Sequence, residues 1–394
     1  MPGRRVIGIA AVATVGAAVV PGGAFAEDPE VLTERPLAGP KSVKDVREYW
    51  TPERMREAAP RGLTVGDRAR NAGTSTAGAD AAGGPSAEAA AVEQPSTTAY
   101  PNSAVGKVLF TQPGQGDFAC SAAVINTDTD RFVLTARHCV EDGGVFATNW
   151  MFAPGYRNGA RPLGEFVATE LRIPSFPPGF SLGYDHAAAI VAPSPGGQNV
   201  EDIVGAFGIA LFESPAQSWR AYGYPAVAPF DGERLFTCDS STVTTDLQVD
   251  PPPIGITCDM TGGASGGPWT IRGNLVAANT SYTVPDVFPR ILFGPQFQDG
   301  AAQLLDSAHP VRCGGKLASI VGTEGPDKLV GTSARDVILG DRGKDVIVGK
   351  GGNDKLCGEE GKDTIKGGGG KRDFCDGGSS NDRGGSGCEK KRKL

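Results

Sequence analysis

Short apolar runs separated by turn-forming residues dominate the middle of the chain, residues 100–312. Each run is only four to seven residues long, and Gly, Pro or Asp residues break the chain between them. Short strands with frequent turns are typical of all-β barrels and sandwiches. One helical pattern, residues 297–308 with Leu304 and Leu305, follows the last run. The apolar runs cover residues 105–110, 119–125, 132–136, 187–191, 219–222 and 275–278.

Aspartate and glycine recur every nine residues in the C-terminal part of the chain, and an apolar residue stands two positions after most of these aspartates. One turn cannot bury its own apolar residue, but stacked turns bury a continuous column. The pattern over residues 319–389 resembles the RTX-type nonapeptide repeats, and the resemblance implies a parallel β-roll. The aspartates are Asp327, Asp336, Asp345, Asp354 and Asp363, followed after a one-residue slip by Asp373 and Asp382.

Residues 1–26 have the three parts of a secretory signal peptide. Arg4 and Arg5 supply the positive start, residues 6–20 the apolar core, and residues 24–26 the small-x-small cleavage site. An uncleaved membrane anchor is the alternative, but this apolar run is short for a transmembrane span. We therefore expect a secreted, extracellular protein, and no later stretch is apolar enough to cross a bilayer.

Residues 27–99 are predicted to be a pro-region followed by a disordered linker. Ser42 stands where it would cap a helix that continues through Trp50 and Met55. Residues 71–98 are mainly Ala, Gly, Ser, Thr and Pro and include no aromatic residue, a composition that cannot bury a core. The segment is either a propeptide that is removed or a permanent flexible extension, and the sequence leaves both open.

Composition narrows the class of function further. The formal net charge is −7 with acidic and basic residues mixed, which argues against a nucleic-acid-binding protein because that class carries a basic face. The 8 cysteines of an exported chain indicate disulfides rather than metal ligands. Only 3 histidines are present, so candidates for a general base are few.

Two short strings carry the candidate chemistry. His138 lies in LTARHC, residues 134–139, and Ser265 lies in GGASGGP, residues 262–268. In this order, within one domain-sized stretch, they resemble the chymotrypsin-like serine proteases. The resemblance implies that Ser265 is the nucleophile and that His138 is the base that takes its proton. The structural alternatives are a core histidine and a glycine-rich turn with an incidental serine.

Asp185 is the candidate for the acid that orients His138. It precedes the apolar run at residues 187–191 and lies between the histidine and the serine in chain order, as the family's aspartate does. Asp128 and Asp202 are rivals, but neither opens such a strand. His186 beside it resembles a position of family variation rather than a second base.

The resemblance also implies an oxyanion hole made by the N–H groups of Gly263 and Ser265, with one donor contributing about 3 kcal/mol to transition-state stabilisation. Ala264 departs from the pancreatic relatives, whose aspartate at this place binds the amine released by zymogen cleavage. Alanine cannot form that ion pair, so activation by trimming would not use that switch. The pattern is more similar to bacterial secreted relatives, including the glutamyl-endopeptidase group.

The cleavage specificity stays open. Asp259 lies six residues before Ser265, where trypsin-type relatives hold a substrate-binding aspartate, and this predicts cleavage after Lys or Arg. Cys258 departs from the register that this match requires. Glu-specific relatives carry a histidine on the strand after the serine, and residues 276–281 contain none, so Glu specificity is less favoured.

The cysteines are expected to form disulfides that each stabilise the fold by about 2–4 kcal/mol. The family resemblance implies one pair beside the candidate histidine; a second pair would brace the loop before Ser265, and a third would close the last turns of the repeat. These pairs are Cys120–Cys139, Cys238–Cys258 and Cys375–Cys388. Cys313 and Cys357 remain, and the sequence leaves their pairing open.

The resemblance to RTX repeats implies calcium between successive turns, held by aspartate carboxylates and backbone carbonyls, because hard oxygen ligands suit this ion. Several repeats depart from the family by replacing the second glycine of a pair, for example with Thr323 and Thr332. A solvated Gly–Asp turn array without metal is the alternative. The implied ligands are Asp327, Asp336, Asp345, Asp354, Asp363, Asp373 and Asp382.

These patterns together predict an all-β protein with a chymotrypsin-like double β-barrel (residues 100–312), a parallel β-roll (residues 319–389) and a basic tail (residues 390–394). We expect a secreted serine endopeptidase that acts on protein or peptide substrates, with structural calcium in the repeat and no cofactor for catalysis. Neither nucleic acid nor a membrane span is expected, and the repeat offers a surface for cell-surface or matrix contact. The alternative is a non-catalytic extracellular calcium-binding scaffold with a protease-like barrel.

Overall fold

The computed structural model describes residues 31–34, 42–65, 90–175, 181–308 and 311–394. The predicted signal peptide at residues 1–26 and most of the predicted linker lie outside the described residues. Within the described ranges, no helix is both long and apolar enough to cross a bilayer.

Two short helices near the N-terminus pack on the barrel region. The first, α1, spans Val43–Tyr49, and Ser42 caps it by accepting a hydrogen bond from the Asp45 N–H. The second, α2, spans Pro52–Glu57 and begins at the N-cap Thr51. The short strands of this part are β1 (Leu32–Glu34), β2 (Ala59–Pro60), β3 (Leu63–Thr64) and β4 (Val92–Glu93).

The end of the predicted disordered stretch is ordered in the structure. Strand β4 pairs antiparallel with residues 236–237, and the buried Thr97 hydroxyl donates a hydrogen bond to the Gly155 carbonyl at 2.7 Å. Composition predicted disorder to residue 98 because no large side chain is available to pack. Backbone pairing, the Thr97 hydroxyl and the ion pairs of Glu93 with Arg157 and Arg234 nevertheless hold residues 90–98 in place.

The first barrel closes on itself through six strands. The strand order is β11-β10-β5-β6-β7-β12, and β12 pairs back onto β11. Its interior is filled by large side chains such as Phe110, Trp150 and Phe166, which are fully buried. The strands are β5 (Val105–Gln112), β6 (Gly116–Val124), β7 (Phe132–Thr135), β8 (Glu141–Asp142), β9 (Val145–Phe146), β10 (Thr148–Pro154), β11 (Phe166–Ile173) and β12 (Ala187–Val191).

The second barrel has the strand order β19-β20-β16-β15-β14-β17-β18. A bridge between Ala278 and Gln296 brings the two ends of this sheet together. The predicted terminal helix is present as α4. The elements are α3 (Val200–Val204), β13 (Gly208–Ala210), β14 (Ser218–Gly223), β15 (Phe236–Thr245), β16 (Ile254–Thr257), β17 (Pro268–Ile271), β18 (Leu275–Asn279), β19 (Tyr282–Val284), β20 (Phe288–Gly294) and α4 (Asp299–Ser307).

The repeat forms a parallel β-solenoid of about four turns at residues 320–392. Two nonapeptides make one coil, because Leu329 pairs with Ile347, and Ile338 pairs with Leu356, on opposite sheets. These side chains are at most 1% exposed, so the predicted apolar column is confirmed. The strands are β21 (Arg312–Cys313), β22 (Lys316–Leu317), β23 (Ile320–Val321), β24 (Lys328–Val330), β25 (Val337–Leu339), β26 (Arg342–Gly343), β27 (Val346–Val348), β28 (Lys355–Cys357), β29 (Glu360–Gly361), β30 (Thr364–Lys366), β31 (Phe374–Asp376), β32 (Arg383–Gly384) and β33 (Lys390–Arg392).

One sheet joins the second barrel to the solenoid. Strand β13 pairs in parallel with β18 of the barrel and antiparallel with β23, the strand that begins the solenoid. The backbone ladder therefore continues from the barrel into the repeat, and the expected all-β architecture of barrels plus β-roll is confirmed. Four disulfides staple this architecture: Cys120–Cys139, Cys238–Cys258, Cys313–Cys357 and Cys375–Cys388.

Candidate active site

His138 lies in a single 3-10 turn, Arg137–Cys139, directly after β7. The disulfide from Cys139 to Cys120 ties this turn to β6, and the Trp150 indole N–H donates a hydrogen bond to the Cys139 carbonyl at 3.1 Å. The histidine side chain is buried, so its direction is fixed by the surrounding barrel.

Asp185 lies opposite this histidine. The distance from His138 Nδ1 to Asp185 Oδ2 is 2.8 Å, and the His138 backbone N–H donates to Asp185 Oδ1 at 3.0 Å. The Ser281 hydroxyl also donates to Oδ2, and the Asn279 amide donates to the Asp185 carbonyl at 3.0 Å. An ionised carboxylate can only accept hydrogen bonds, so Asp185 holds the imidazole with Nδ1 as the protonated nitrogen.

The charge of Asp185 is stabilised despite complete burial. Burial alone raises the pKa of a carboxyl, but the facing His138 and the hydrogen bonds from His138 and Ser281 hold the pKa of Asp185 below its ordinary value. The neighbouring His186 behaves differently: burial lowers its pKa to about 4, and its ring packs between Tyr184 and Phe297. His186 is therefore a neutral packing residue.

Ser265 lies on a tight turn after Gly263, whose φ of +98° favours glycine. The turn is fixed to β6, because the Ser121 N–H donates to the Ser265 carbonyl at 2.8 Å and the Ser121 hydroxyl donates to the Gly263 carbonyl at 2.9 Å. The Ser265 carbonyl oxygen also lies 3.8 Å from Cys139 Sγ, next to His138. The structure thus brings the serine turn beside the histidine turn.

His138 Nε2 is buried and has no hydrogen-bond partner among the described residues. It is the nitrogen opposite the one that Asp185 holds, so it is the position from which a base would act.

A cleft of about 440 Å³ opens beside the serine turn. Ser265, Asp259, Ser281 and Thr283 line it, together with Pro60 and residues 62–64 of the N-terminal segment, residues 42–65. Asp259 already has partners within the protein: its Oδ1 accepts the Ala91 N–H at 2.7 Å, and its Oδ2 lies 3.8 Å from the Arg290 guanidinium.

The repeat carries a second set of chemically distinctive groups. In five of its aspartates, Oδ1 accepts the backbone N–H of the aspartate one coil earlier, at 2.9–3.0 Å. Oδ2 of each is buried and has no hydrogen-bond partner within the described part of the chain. Buried carboxylate oxygens in this state fit a hard divalent cation such as calcium. These aspartates are Asp345, Asp354, Asp363, Asp373 and Asp382.

Asp327 and Asp336 differ from the other five. The Thr323 N–H and hydroxyl donate to Asp327 Oδ2 at 2.6 and 2.9 Å, and Thr332 does the same to Asp336 at 2.6 and 3.1 Å. Later repeats place Asp341, Lys350 and Glu359 at the same position with φ between +69° and +74°. The threonine-containing turns therefore satisfy the oxygen that, among the described residues, the later turns leave without a partner.

Comparisons with known proteins find one match for the repeat and another for the barrels. The RTX calcium-binding nonapeptide repeat model matches residues 321–356 and 351–383. The solved structure of the protease Anisep from Arthrobacter nicotinovorans is 31% identical, with a match that covers 55% of this chain and 99% of that one at a TM-score of 0.50. The chain belongs to the chymotrypsin-like bacterial serine proteases.

Two further solved structures match a similar share of the chain. The thermostable serine protease AL20, from an extremophilic microorganism, is 38% identical over 52% of this chain and 96% of its own, with a TM-score of 0.49. A Glu endopeptidase is 17% identical over 55% and 95%, with a TM-score of 0.46. No curated protein matches the sequence.

Sequence reasoning missed two side chains that support the site of this protease. Ser281 donates to Asp185, and Ser121 holds the serine turn through its hydroxyl. The only sequence signal for Ser281 is its place just after a buried strand. Ser121, next to Cys120, had no local signal, because its role arises from a contact 142 residues away in the chain.

Proposed function

We propose that this protein is a secreted serine endopeptidase in which His138, Asp185 and Ser265 form the catalytic triad. The observation that carries the proposal is the buried His138–Asp185 pair, 2.8 Å apart, whose imidazole presents beside the Ser265 turn an Nε2 that has no partner in the described part of the chain. This is the arrangement that a base needs to take a proton from a serine hydroxyl.

In the proposed reaction, His138 Nε2 takes the Ser265 hydroxyl proton while Oγ attacks the peptide carbonyl. The N–H groups of Gly263 and Ser265 stabilise the oxyanion, and the imidazolium returns the proton to the leaving amine. An acyl-enzyme at Ser265 remains, and a water activated by the same histidine hydrolyses it. Asp185 stays ionised throughout, because its depressed pKa favours the carboxylate that stabilises the imidazolium.

The rival from another class is a non-catalytic scaffold. A barrel that served only as a platform for the repeat would be free to lose the charge network around Asp185. The hydrogen bonds from His138 and Ser281 to Asp185 instead support retention of the catalytic arrangement.

Irreversible labelling with a fluorophosphonate separates these two functions. The full chain is incubated to completion, and the adduct is located by mass spectrometry; we expect one label per chain on Ser265 and none in Ser265→Ala. Absence of any adduct at completion on every folded form of the chain, including forms in which the N-terminal segment is displaced, would leave the scaffold as the better explanation.

We further propose that calcium binds within the repeat at Asp345, Asp354, Asp363, Asp373 and Asp382, where it would neutralise buried carboxylates and tie successive coils together. Thr323 and Thr332 already satisfy the corresponding oxygens of Asp327 and Asp336, so we assign these two turns no ion. Calorimetric titration of the full chain tests the assignment: Asp354→Asn is expected to lower the calcium stoichiometry, whereas Asp336→Asn leaves it unchanged. Equal stoichiometries would contradict it.

The proposed location is extracellular. Four disulfides persist in oxidising compartments, and calcium-binding repeats suit a medium rich in that ion. Protein or peptide substrates follow from the proposed chemistry, and the exposed coils of the repeat would be the surface for cell or matrix contact. Recovery of the disulfide-bonded chain from culture medium, rather than from cells, tests this location.

Asp259 is proposed to line the pocket for the residue that precedes the cleaved bond, since it borders the same cleft as Ser265. Its pairing with Arg290 means that a lysine or arginine side chain would meet a carboxylate that is already partly neutralised.

A further inference from the structure

The N-terminal segment runs through the cleft of its own barrel. Strand β2 pairs in parallel with β6, where Pro60 faces Ala119, and β3 pairs in parallel with β19, where Leu63 faces Tyr282. Between these two strands, the Gly263 N–H donates a hydrogen bond to the Arg61 carbonyl at 2.8 Å. Residues 59–65 therefore span the cleft from one wall to the other and pass over the serine turn.

We propose that residues 42–65 are an autoinhibitory segment, which occupies the cleft in the direction opposite to a cleavable peptide and must leave before substrate binds. The proposal rests on the proposed serine-protease function, because it assigns the occupied cleft to substrate.

One of the two proposed oxyanion donors is already occupied by the N-terminal segment. Gly263 N–H is one of the two proposed oxyanion donors, and the Arg61 carbonyl accepts its bond. Gly62 then lies against the serine loop so closely that a Cβ at this position would be 2.9 Å from Gly262 Cα. A substrate carbonyl cannot use this donor while Arg61 remains in place.

The direction of the chain explains why the segment blocks the site without serving as a substrate. Residues 59 and 60 lie on the side of β6, next to the Cys120–Cys139 disulfide and so next to His138. The chain after Arg61 leads away toward β19 instead. Cleavage needs the leaving nitrogen on the histidine side, since His138 must protonate it. In this segment that nitrogen belongs to Gly62, on the opposite side.

The Arg61 side chain fixes the segment at its centre. Its guanidinium donates to Asp142 at 2.8 Å and to Gln115 at 3.2 Å, and it stacks over the Phe118 ring at 4.9 Å. Hydrogen bonds from Gln115 and Arg61 hold the pKa of Asp142 below its ordinary value. All of these partners belong to the first barrel.

Helices α1 and α2 supply the remaining anchorage. Trp50 and Met55 are at most 1% exposed, and the Trp50 indole N–H donates to the Asn149 carbonyl at 2.6 Å. The buried Lys107 ammonium donates to the Met55 carbonyl at 3.2 Å. Because the helices are held by the barrel core, the cleft strands between 59 and 65 are positioned by contacts on their N-terminal side.

The test compares the rate of fluorophosphonate labelling at Ser265 in full chains. Gly62→Leu is expected to displace the cleft strands, since its side chain would overlap Gly262 backbone, and to raise the labelling rate by at least about tenfold, because that rate follows the open fraction. The matched control is Gly196→Leu, on an exposed loop where the nearest atom to a Cβ is 3.7 Å away. Its labelling rate should equal that of the wild type.

A second pair of variants keeps the test decisive if Gly62→Leu fails to fold. Arg61→Ala removes the contacts with Asp142, Gln115 and Phe118 and should also accelerate labelling. Its control, Arg220→Ala, removes an exposed ion pair with Asp239 and should not. Far-UV circular dichroism checks that each variant is folded.

The labelling rates distinguish failure of the autoinhibition proposal from failure of the proposed protease function. If the wild type, Gly62→Leu and Arg61→Ala label at the same rate, the cleft is open and autoinhibition is wrong, while the proposed function stands. If no folded form acquires label even at completion, the proposed function fails, and the inhibition proposal falls with it. Self-cleavage of the Arg61–Gly62 bond in the wild type, detected by mass spectrometry and absent in Ser265→Ala, would overturn the reversed direction.

Discussion

The two regions that flank the barrels are attached to them in different ways. The N-terminal segment pairs with the barrels only through two-residue strands, and individual side chains fix its position, with Trp50 against the first barrel and Arg61 in the cleft. The C-terminal repeat is attached by its backbone, because the ladder from β18 through β13 to β23 continues into the solenoid. The first attachment depends on specific long-range contacts, and the second extends a periodic pattern.

This difference predicts different sensitivities. A segment held by side chains can be displaced by single substitutions, and its position decides whether the cleft is open. A repeat held by a continuous sheet should respond mainly to calcium and should leave the chemistry of Ser265 unchanged. The barrels lie between the two and contain the proposed triad.

The largest expected effect is on the triad itself. Asp185→Asn keeps the shape of the side chain but removes the charge that stabilises the protonated His138, so kcat should fall by about 10⁴-fold. The response of the variant to calcium should match that of the wild type, because the repeat lies outside this network. Peptide turnover and calcium titration on the same preparation provide the measurement; a kcat within tenfold of the wild type would remove Asp185 from the triad.

The N-terminal attachment is tested by Trp50→Ala. Removing a fully buried indole that also donates to the Asn149 carbonyl should lower the free energy of unfolding by about 3–5 kcal/mol. Leu247→Ala is the control: this leucine is 77% exposed, and the change should stay within about 0.5 kcal/mol. Urea unfolding gives both values. A loss for Trp50→Ala as small as that of the control would mean that the segment is not anchored through its side chains.

The effect of calcium on the stability of the repeat tests the C-terminal attachment. This effect should depend on pH. Burial raises the pKa of Asp345 to about 7 and that of Asp354 to about 6. A raised pKa means that the metal-free folded repeat binds these protons more tightly than the unfolded chain does. Bound protons stabilise the folded repeat fully below pH 3.8, the ordinary pKa of an aspartate. This stabilisation is lost as the pH rises through the raised pKa values of about 6 and about 7.

In the proposed sites calcium would take the place of these protons, so its stabilising effect should grow over the same pH range. At a calcium concentration of about 100 Kd we expect about 2.7 kcal/mol per site. The shift in Tm on adding calcium should therefore be larger at about pH 8 than at about pH 5. Equal shifts at the two pH values would contradict the role of these aspartates.

The smallest expected effect concerns specificity. Arg290→Ala removes the guanidinium next to Asp259 and should raise the preference for Lys and Arg over neutral residues by about two- to fivefold, the range that an exposed ion pair supports. Peptide reporters that differ only in the residue before the cleaved bond measure this ratio. The Arg290→Ala/Asp259→Asn double variant should lose the gain, and a gain that survives would exclude Asp259 as its origin.

The comparison also explains what could be predicted from the sequence. His138, Ser265 and the apolar column of the repeat are marked by local strings or by a fixed period, and both kinds of signal are visible without knowledge of the fold. Asp185 needed the further observation that an aspartate precedes a buried strand. The substitution of glycine by Thr323 and Thr332 was visible as well, but its consequence for the aspartate oxygens depends on the backbone of the turn.

The cleft segment was beyond this kind of prediction. Arg61 carries no local pattern, and its carbonyl meets Gly263 only because two pairs of parallel strands bring distant parts of the chain together. The order of residues 90–98 was missed for a related reason, since backbone pairing with another strand needs no large side chain. Contacts that are remote in sequence and not periodic required the structure.

The most direct test of the central claim is a pre-steady-state burst experiment. The Gly62→Leu chain is mixed with an activated peptide ester, quenched in acid and analysed by mass spectrometry. We expect a burst of about one product per chain, as an accumulating covalent intermediate gives, with the acyl group on Ser265. The same chain carrying Ser265→Ala should show neither. Turnover without a burst, and unchanged by Ser265→Ala, would contradict the account.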